Sequence, residues 1–305
     1  MIAGVIAGVR ASLFYEEFSM LSLRASLRSA FHAPRRSTWR ASAAALLLTA
    51  TLSAPAVAQD RDRDSKRDDA FTWSGTIPSG RRVMIKNING GIEVERSTNG
   101  RVEVRAEKRW RRGNPEDVRI EQKKIGEDVL VCALFSESSR CDESGIHTDR
   151  RTKWNDRNDV SVRFIVRVPD GVRVDLSTVN GGVEVTGVSN EVDAHTVNGS
   201  IIARSAGGPV RAKTVNGSIT VSMGTLGSAD DLDYETVNGA ITIELPSNFG
   251  AQLELSTVNG RVSTDFPITI SGTLSPRRVR GTVGNGATRL RASTVNGSVT
   301  LRKIN

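Results

Sequence analysis

The chain has 305 residues, 42 Lys and Arg against 34 Asp and Glu, a formal net charge of +8, and 5% aromatic residues. A quarter of it is charged, it has two Cys, and no run of eighteen apolar residues occurs. That excludes a polytopic membrane protein, a disordered or collagenous chain and a disulfide-dense miniprotein.

Residues 1–19 precede a second methionine, Met20, and carry no fold argument. Arg35, Arg36 and Arg40 stand before the apolar run from Ala41 to Leu52, and Ala56-Val57-Ala58 follows it. A basic stretch, a short apolar stretch and an A-x-A site make a secretory signal, expected to be cut after Ala58. As a twin-arginine signal Arg35-Arg36 is a poor match. Removing residues 1–58 takes away six Arg and two Glu, so the net charge falls from +8 to +4. The remaining charge forms no concentrated basic face, and no nucleic-acid partner is expected. The runs Lys108-Arg109-Trp110-Arg111-Arg112 and Pro276-Arg277-Arg278-Val279-Arg280 read as solvated strand ends or loops, or else as contacts for anionic glycans or lipid headgroups. Gln59, not Cys, stands directly after the cleavage site, so no lipid anchor is expected at the mature N-terminus. No integral membrane segment is expected after signal removal, and periplasm or cell surface is the expected location.

Residues 59–70, with Asp60, Arg61, Asp62, Arg63 and Asp64 alternating in sign, read as a charged flexible linker. From Phe71 to residue 170 an N-terminal β region is expected, because stretches such as Arg101-Val102-Glu103-Val104-Arg105 and Val160-Ser161-Val162-Arg163-Phe164-Ile165-Val166 alternate at period two. In an oxidising compartment Cys132 and Cys141, nine apart, are expected to pair, stabilising by roughly 2–3 kcal/mol. The alternative is two free buried thiols.

Residues 171–305 form a repeat domain. The sequence holds nine Asn-Gly pairs where chance gives roughly 1.5. Thr-Val-Asn-Gly recurs from Thr178, Thr196, Thr214, Thr236, Thr257 and Thr294, at spacings of 18, 18, 22, 21 and 37. The corners are Asn180-Gly181, Asn198-Gly199, Asn216-Gly217, Asn238-Gly239, Asn259-Gly260 and Asn296-Gly297. The longest gap is about two periods, with Gly281-Thr282-Val283-Gly284-Asn285-Gly286 as a worn copy, and weaker copies stand at Asn87-Ile88-Asn89-Gly90 and Ser97-Thr98-Asn99-Gly100. Positions −4, −2, +5 and +7 from each Thr are mostly apolar, from Val174, Leu176, Val183 and Val185 onward, giving two short strands with one buried face per repeat. Two architectures fit: a meander of hairpins with Asn-Gly turns, or a β-solenoid of 18–22-residue rungs capped by the N-terminal β region. In a hairpin the Val after each Thr points away from the core, whereas at a solenoid corner Thr and Val can both turn inward. That favours the solenoid, with Gly relieving φ > 0 strain and insertions at the opposite corner, at Gly187 to Asn190, Ser205 to Pro209 and Met223 to Asp230.

These features resemble the exported bacterial β-strand-repeat "putative adhesin" family, the domain of unknown function 4097 type. The resemblance rests on Phe71-Thr72-Trp73-Ser74-Gly75, the Cys132 to Cys141 loop, Val166-Arg167-Val168-Pro169-Asp170-Gly171-Val172, the serial Thr-Val-Asn-Gly blocks, Asp265-Phe266-Pro267 and Arg280-Gly281-Thr282-Val283-Gly284. It implies a cell-envelope β-repeat protein without known catalysis and supplies no binding residues.

Reactive constellations are sparse. His147 and His195 have no ligand-spaced partner, and His195 falls in an outward column with Ser177, Lys213, Glu235, Ser256 and Ser293. Asp231, Asp233 and Glu235 share one outward face, read as a solvated loop mouth, with a calcium site as the functional alternative. The Asn-Gly-Ser triplets at Asn198, Asn216 and Asn296 are explained by turn chemistry. Trp73, Trp110 and Trp154 precede the repeats and are expected to cap the first rung. No catalytic residue, cofactor or metal is expected. The sequence reads as an exported non-enzymatic scaffold whose partner is an envelope polysaccharide or an envelope protein. The alternatives are a polysaccharide-active β-helix enzyme, resting on Asp231, Asp233 and Glu235, or an envelope-stress sensor acting through a protein partner.

Overall fold

The computed structural model describes residues 66–148, 158–205, 207–224, 231–270 and 275–304. The stretch expected to be an export signal, the start of the charged stretch and Trp154 lie outside them. Each repeat folds as one rung of two strands. In chain order the first strands are Arg82–Lys86, Arg173–Ser177, Val192–His195, Val210–Lys213, Asp231–Asn238, Ala251–Asn259 and Thr288–Asn296. The second strands are Ile92–Arg96, Val183–Thr186, Ile201–Ser205, Ile219–Met223, Ile241–Pro246, Val262–Thr264 and Val299–Ile304. We number these rungs 1 to 7. First strands join one sheet and second strands another, in parallel register: Val192 lies beside Val210 in the first sheet, and Ile201 beside Ile219 in the second. A strand before Thr never pairs with its own strand after Gly, so the hairpin meander is not what the chain forms.

The order along the stack is not the order along the chain. In both sheets rung 7 lies between rungs 5 and 6. At the other end, Asp128–Leu134 and Ser161–Val168 form a further rung outside rung 1, although they follow it in the chain. The first and last numbered rungs are each second in the stack. Antiparallel strands close the ends, where open edges would template pairing with other chains. Arg119–Ile125 covers Asp128–Leu134, Val102–Trp110 and then Lys66–Gly75 cover Ser161–Val168, and Arg278–Val283 and then Thr269–Ile270 cover the first strand of rung 6, whose short second strand, Val262–Thr264, ends the second sheet.

Three expectations change here. The worn copy at Gly281 to Gly286 is no rung corner: it ends the antiparallel closing strand, and Gly284 and Gly286, at φ 57° and 68°, turn the chain into rung 7. Ser97 to Gly100 is likewise a turn, with Gly100 at φ 71°. The stretch read as linker enters the fold at Lys66, where it pairs antiparallel with Val102–Trp110 and Arg67 binds the buried Glu107 at 2.6 Å.

The core between the sheets holds the residues that parity selects. Val174, Leu176, Ala194, Ile201, Ala212, Ile219, Ile243, Leu255, Leu290 and Leu301 are buried, and Thr264 is the half-buried exception. Its small side chains suit strands one rung apart, and Phe71, Trp73 and Trp110 pack against the core at the N-terminal end. Cys132 and Cys141 form a disulfide. It fastens the hairpin of Arg140–Asp142 and Gly145–His147 over Met84, Leu130 and Leu134, a second apolar cluster outside the first sheet.

The corners explain the repeat. The hydroxyls of Thr178, Thr196, Thr214, Thr236, Thr294 and Thr257 donate to the carbonyls of Gly90, Gly181, Gly199, Gly217, Gly239 and Gly297 on the neighbouring rung, at 2.7–2.9 Å. In rung 1 Asn87 stands in the Thr position and its amide reaches the Val162 carbonyl at 2.8 Å. Five of the six corner glycines serve close approach, not the expected positive φ, which Gly297 at 159° and Gly90 of rung 1 at 118° do adopt. Gly181, Gly199, Gly217, Gly239 and Gly260 lie outside that region, and a Cβ on any of them would sit 1.9–2.1 Å from the carbonyl oxygen of the next rung's glycine. The Asn side chains form one amide ladder, 180, 198, 216, 238, 296, 259, with steps of 2.7–2.9 Å that follow the stack.

The inward expectation for Val fails. Val179, Val258 and Val295 are 36, 55 and 38% exposed, and Val197, Val215 and Val237 are half-buried. The chain stays extended from Thr to Val, so alternation persists and Val points out once Thr points in. Stacking along the column covers part of each Val, and Val258, in the last rung of the stack, is the most exposed. Thr236→Val keeps the side-chain shape and leaves the Gly217 carbonyl without its donor. It is expected to cost about 1–2 kcal/mol, measured as a shift of the urea midpoint at unchanged slope.

Candidate functional site

Alternate residues of the first strands face outward on the first sheet, which makes this face a lattice of charge. Lys86, Ser177, His195, Lys213, Glu235, Ser293 and Ser256 form one column, as the sequence register implies. Most of the lattice is neutralised between neighbouring rungs. Lys86, itself buried, binds Asp175 at 2.8 Å. Glu191 is shared by Arg173, at 3.2 Å, and Arg211, which also meets Asp193 at 3.3 Å. Burial opposes the Glu191 charge, but the Arg211 and Arg173 contacts outweigh it and hold its pKa below the usual carboxylate value. Burial raises the Asp193 pKa against the Arg211 charge.

Of the acidic residues singled out in the sequence, Asp233 and Glu235 are drawn into the same lattice, whereas Asp231 is exposed and has no ion pair among the described residues. Lys213 lies 2.6 Å from Asp233 and 3.6 Å from Glu235. Burial works against the lysine's charge, yet Asp233 and Glu235 hold its pKa above the ordinary value. These carboxylates therefore face a lysine, which suits neither a calcium ion nor an acid and base held for sugar cleavage. Among the described residues no group of three His, Cys, Asp or Glu side chains is placed to hold a metal ion. Sequence reasoning placed Lys213 in this column and missed that it neutralises Asp233. Aligning adjacent repeats residue by residue brings the two together, with no separate motif to mark them.

His195 faces outward as expected and is half-buried. Burial lowers its pKa, the charges of Asp175 and Asp193 oppose this, and Lys86 and Lys213 add to it. An unfolded chain would then bind the proton first. Stability that His195 supports is present above about pH 6.5 and is lost as pH falls toward the lowered native value. Asp193 has the opposite sign: its raised pKa favours the native protonated form in a more acidic window. The melting temperature is expected to fall from about pH 7.5 to about pH 5.5, with a shallower fall in His195→Gln. Equal slopes in the two proteins would remove His195 as the cause.

The second sheet presents a different outer face. Thr220, Thr242 and Thr300 line up as short hydroxyls, with Thr220 beside Thr242 and Thr242 beside Thr300, and Ser200 and Ser218 stand two residues before that column. Nearer its N-terminal end a groove of about 400 Å³ is lined by Thr72, Ser74, Glu103, Arg105, Ile165 and Arg167.

The sequence profile of the Toastrack DUF4097 family matches residues 76–302, from the residue after Gly75 through nearly all of rung 7. The chain belongs to that family. No curated protein matches the Toastrack chain. Among solved structures it is similar to a "putative cell adhesion protein" from Clostridium sporogenes, at 8% identity and a TM-score of 0.41, over 79% of this chain and 100% of that one. It is also similar to a "putative adhesin" from Bacteroides fragilis (12% identity, TM-score 0.28, 78% and 97% covered) and to a "putative lipid binding protein" from Parabacteroides distasonis (11%, 0.27, 80% and 98%). Among the Toastrack chain's described residues no helix is long and apolar enough to cross a membrane.

Proposed function

We propose that this Toastrack protein is an exported, non-enzymatic β-solenoid scaffold of the cell envelope, an adhesin-type protein whose outer faces bind envelope polysaccharide or an envelope protein. One observation carries the reading. The same Thr, Asn and Gly contacts repeat rung after rung, so the chain's regularity serves two broad polar faces, and Asp233 and Glu235 of its acidic cluster face Lys213. A scaffold needs regular, solvated and rigid surfaces. A hydrolase or lyase needs an acid and a base held free for the substrate.

The export signal and the absence of a reactive cluster in the sequence point the same way. The exported protein is to be incubated with envelope polysaccharides and assayed both for retention and for cleavage. Retention without new chain ends is the expected result. New reducing or unsaturated ends that disappear in Asp231→Ala would refute it in favour of an enzyme.

A further inference from the structure

Pairing of charge on the first sheet's outer face stops at the C-terminal end of the stack. Rung 7 contributes Arg289 and Arg291, and the closing strand Arg278–Val283 contributes Arg278 and Arg280, with Arg277 just before it. All five are exposed. The register sets Glu254 of rung 6 between Arg280 and Arg291, and Ser256 between Arg278 and Ser293. Arg280 binds Glu254 at 2.5 Å. Among the described residues no carboxylate lies within ion-pair distance of Arg277, Arg278, Arg289 or Arg291. Asp231 neighbours Arg289 in register without contacting it, and Asp233, the neighbour of Arg291, is held by Lys213. Five guanidiniums thus stand against two carboxylates, Glu254 and Asp231, that are not already claimed from outside the patch. The Arg280 hydrogen bond, with the charges of Arg291 and Arg278, lowers the Glu254 pKa, which is the mark of a positive field.

The spacing suits a polymer. Arg280 and Arg291 are two strand spacings apart, about 9.6 Å, and Arg289 and Arg291 are two residues apart on one strand, about 7 Å. Between them lie hydroxyls and an amide, Ser256, Ser293, Thr282 and Gln252. A groove of about 370 Å³ runs beside Ser256, Arg277 and Arg278. The apolar side chains exposed on the outer face of these strands are two neighbouring valines at the corner, Val258 and Val295, which are short beside the five guanidiniums and make a small apolar surface for a bilayer. Guanidinium forks pair bidentately with carboxylate and phosphate groups, and exposed ones left unpaired lose little by doing so. We propose that this patch binds an anionic glycan, its acidic groups on Arg278, Arg289 and Arg291 and its sugar hydroxyls on Ser256, Ser293 and Gln252.

The proposal rests on the scaffold reading and names its ligand. The probe is polygalacturonate, with neutral dextran and phosphatidylglycerol vesicles as comparisons, titrated against the exported protein. Polygalacturonate is expected to bind, to weaken at least tenfold in Arg278→Ser/Arg291→Ser, and to tighten in Glu254→Gln, a gain that misfolding does not produce. The fall of log affinity with log salt should be shallower in the double variant by about 2. Unchanged polygalacturonate affinity in the double variant, or binding to vesicles alone, overturns the proposal. If the double variant still retains envelope polysaccharide, the ligand assignment fails and the scaffold reading stands. If the wild-type protein retains no envelope polymer or protein, both fail.

Discussion

A chain ending at Ala287 is expected not to fold. In a solenoid whose rungs stack in chain order, removing the last repeat trims one end and leaves the others paired. Here residues 288–304 lie inside both sheets, between Asp231–Pro246 and Ala251–Thr264. Their loss strips rung 6 of its parallel neighbour in each sheet. It breaks the Asn ladder between Asn238 and Asn259, and leaves the Gly239 carbonyl without Thr294 and Thr257 without Gly297. The buried Leu290, Val299 and Leu301 alone represent about 5–9 kcal/mol, comparable with the whole stability of a typical domain. The truncated protein should show no cooperative thermal transition by circular dichroism. A cooperative transition at a modestly lower temperature would mean that rung 7 lies at an end.

Gly217→Ala is the second severe change. The added Cβ would stand 2.0 Å from the Gly199 carbonyl oxygen and 2.5 Å from its carbon, and both belong to a backbone fixed in two ladders. No rotamer relieves that contact, so adjacent rungs must part. A cost of about 3 kcal/mol or more is expected, which for a chain of this size lowers the melting temperature by about 10 °C. Gly224→Ala is the control. Nothing lies within 4 Å of its Cβ position and its φ is not left-handed, so it should melt within about 2 °C of wild type. If the two variants melt together, close approach does not explain the corner glycines.

Period-two alternation and the recurrence of Thr-Val-Asn-Gly made the strands, their inward faces and their parallel stacking legible in the sequence, because each is set by residues close together in the chain. The corner showed its limits. Thr and Gly carry signals of composition only, and the bond from Thr196 to Gly181 becomes visible once two rungs are laid side by side. Val was misread for the same reason: an exposed Val looks costly when considered alone, and the column from Val179 to Val258 shares the cost. The insertion of rung 7 was not legible. Its repeat matches the others as well as any, and nothing in it tells that its neighbours are rungs 5 and 6, while the worn copy at Gly281 to Gly286 before it suggests a rung that is not there. The charge lattice was half legible, since parity gave the columns and pairing across rungs needed the register.

Parallel rungs stacked out of chain order are best tested with cysteine pairs at the Asn ladder. Asn238→Cys/Asn296→Cys and Asn296→Cys/Asn259→Cys place Cα atoms one rung apart, about 4.8 Å, within disulfide range. Asn238→Cys/Asn259→Cys places them two rungs apart, about 9.6 Å, beyond it. Peptide mapping after mild oxidation is expected to find the 238–296 and 296–259 bridges in high yield, with the native Cys132–Cys141 bridge intact, and no 238–259 bridge. A 238–259 bridge in high yield, with 238–296 absent, would contradict the interleaved stack.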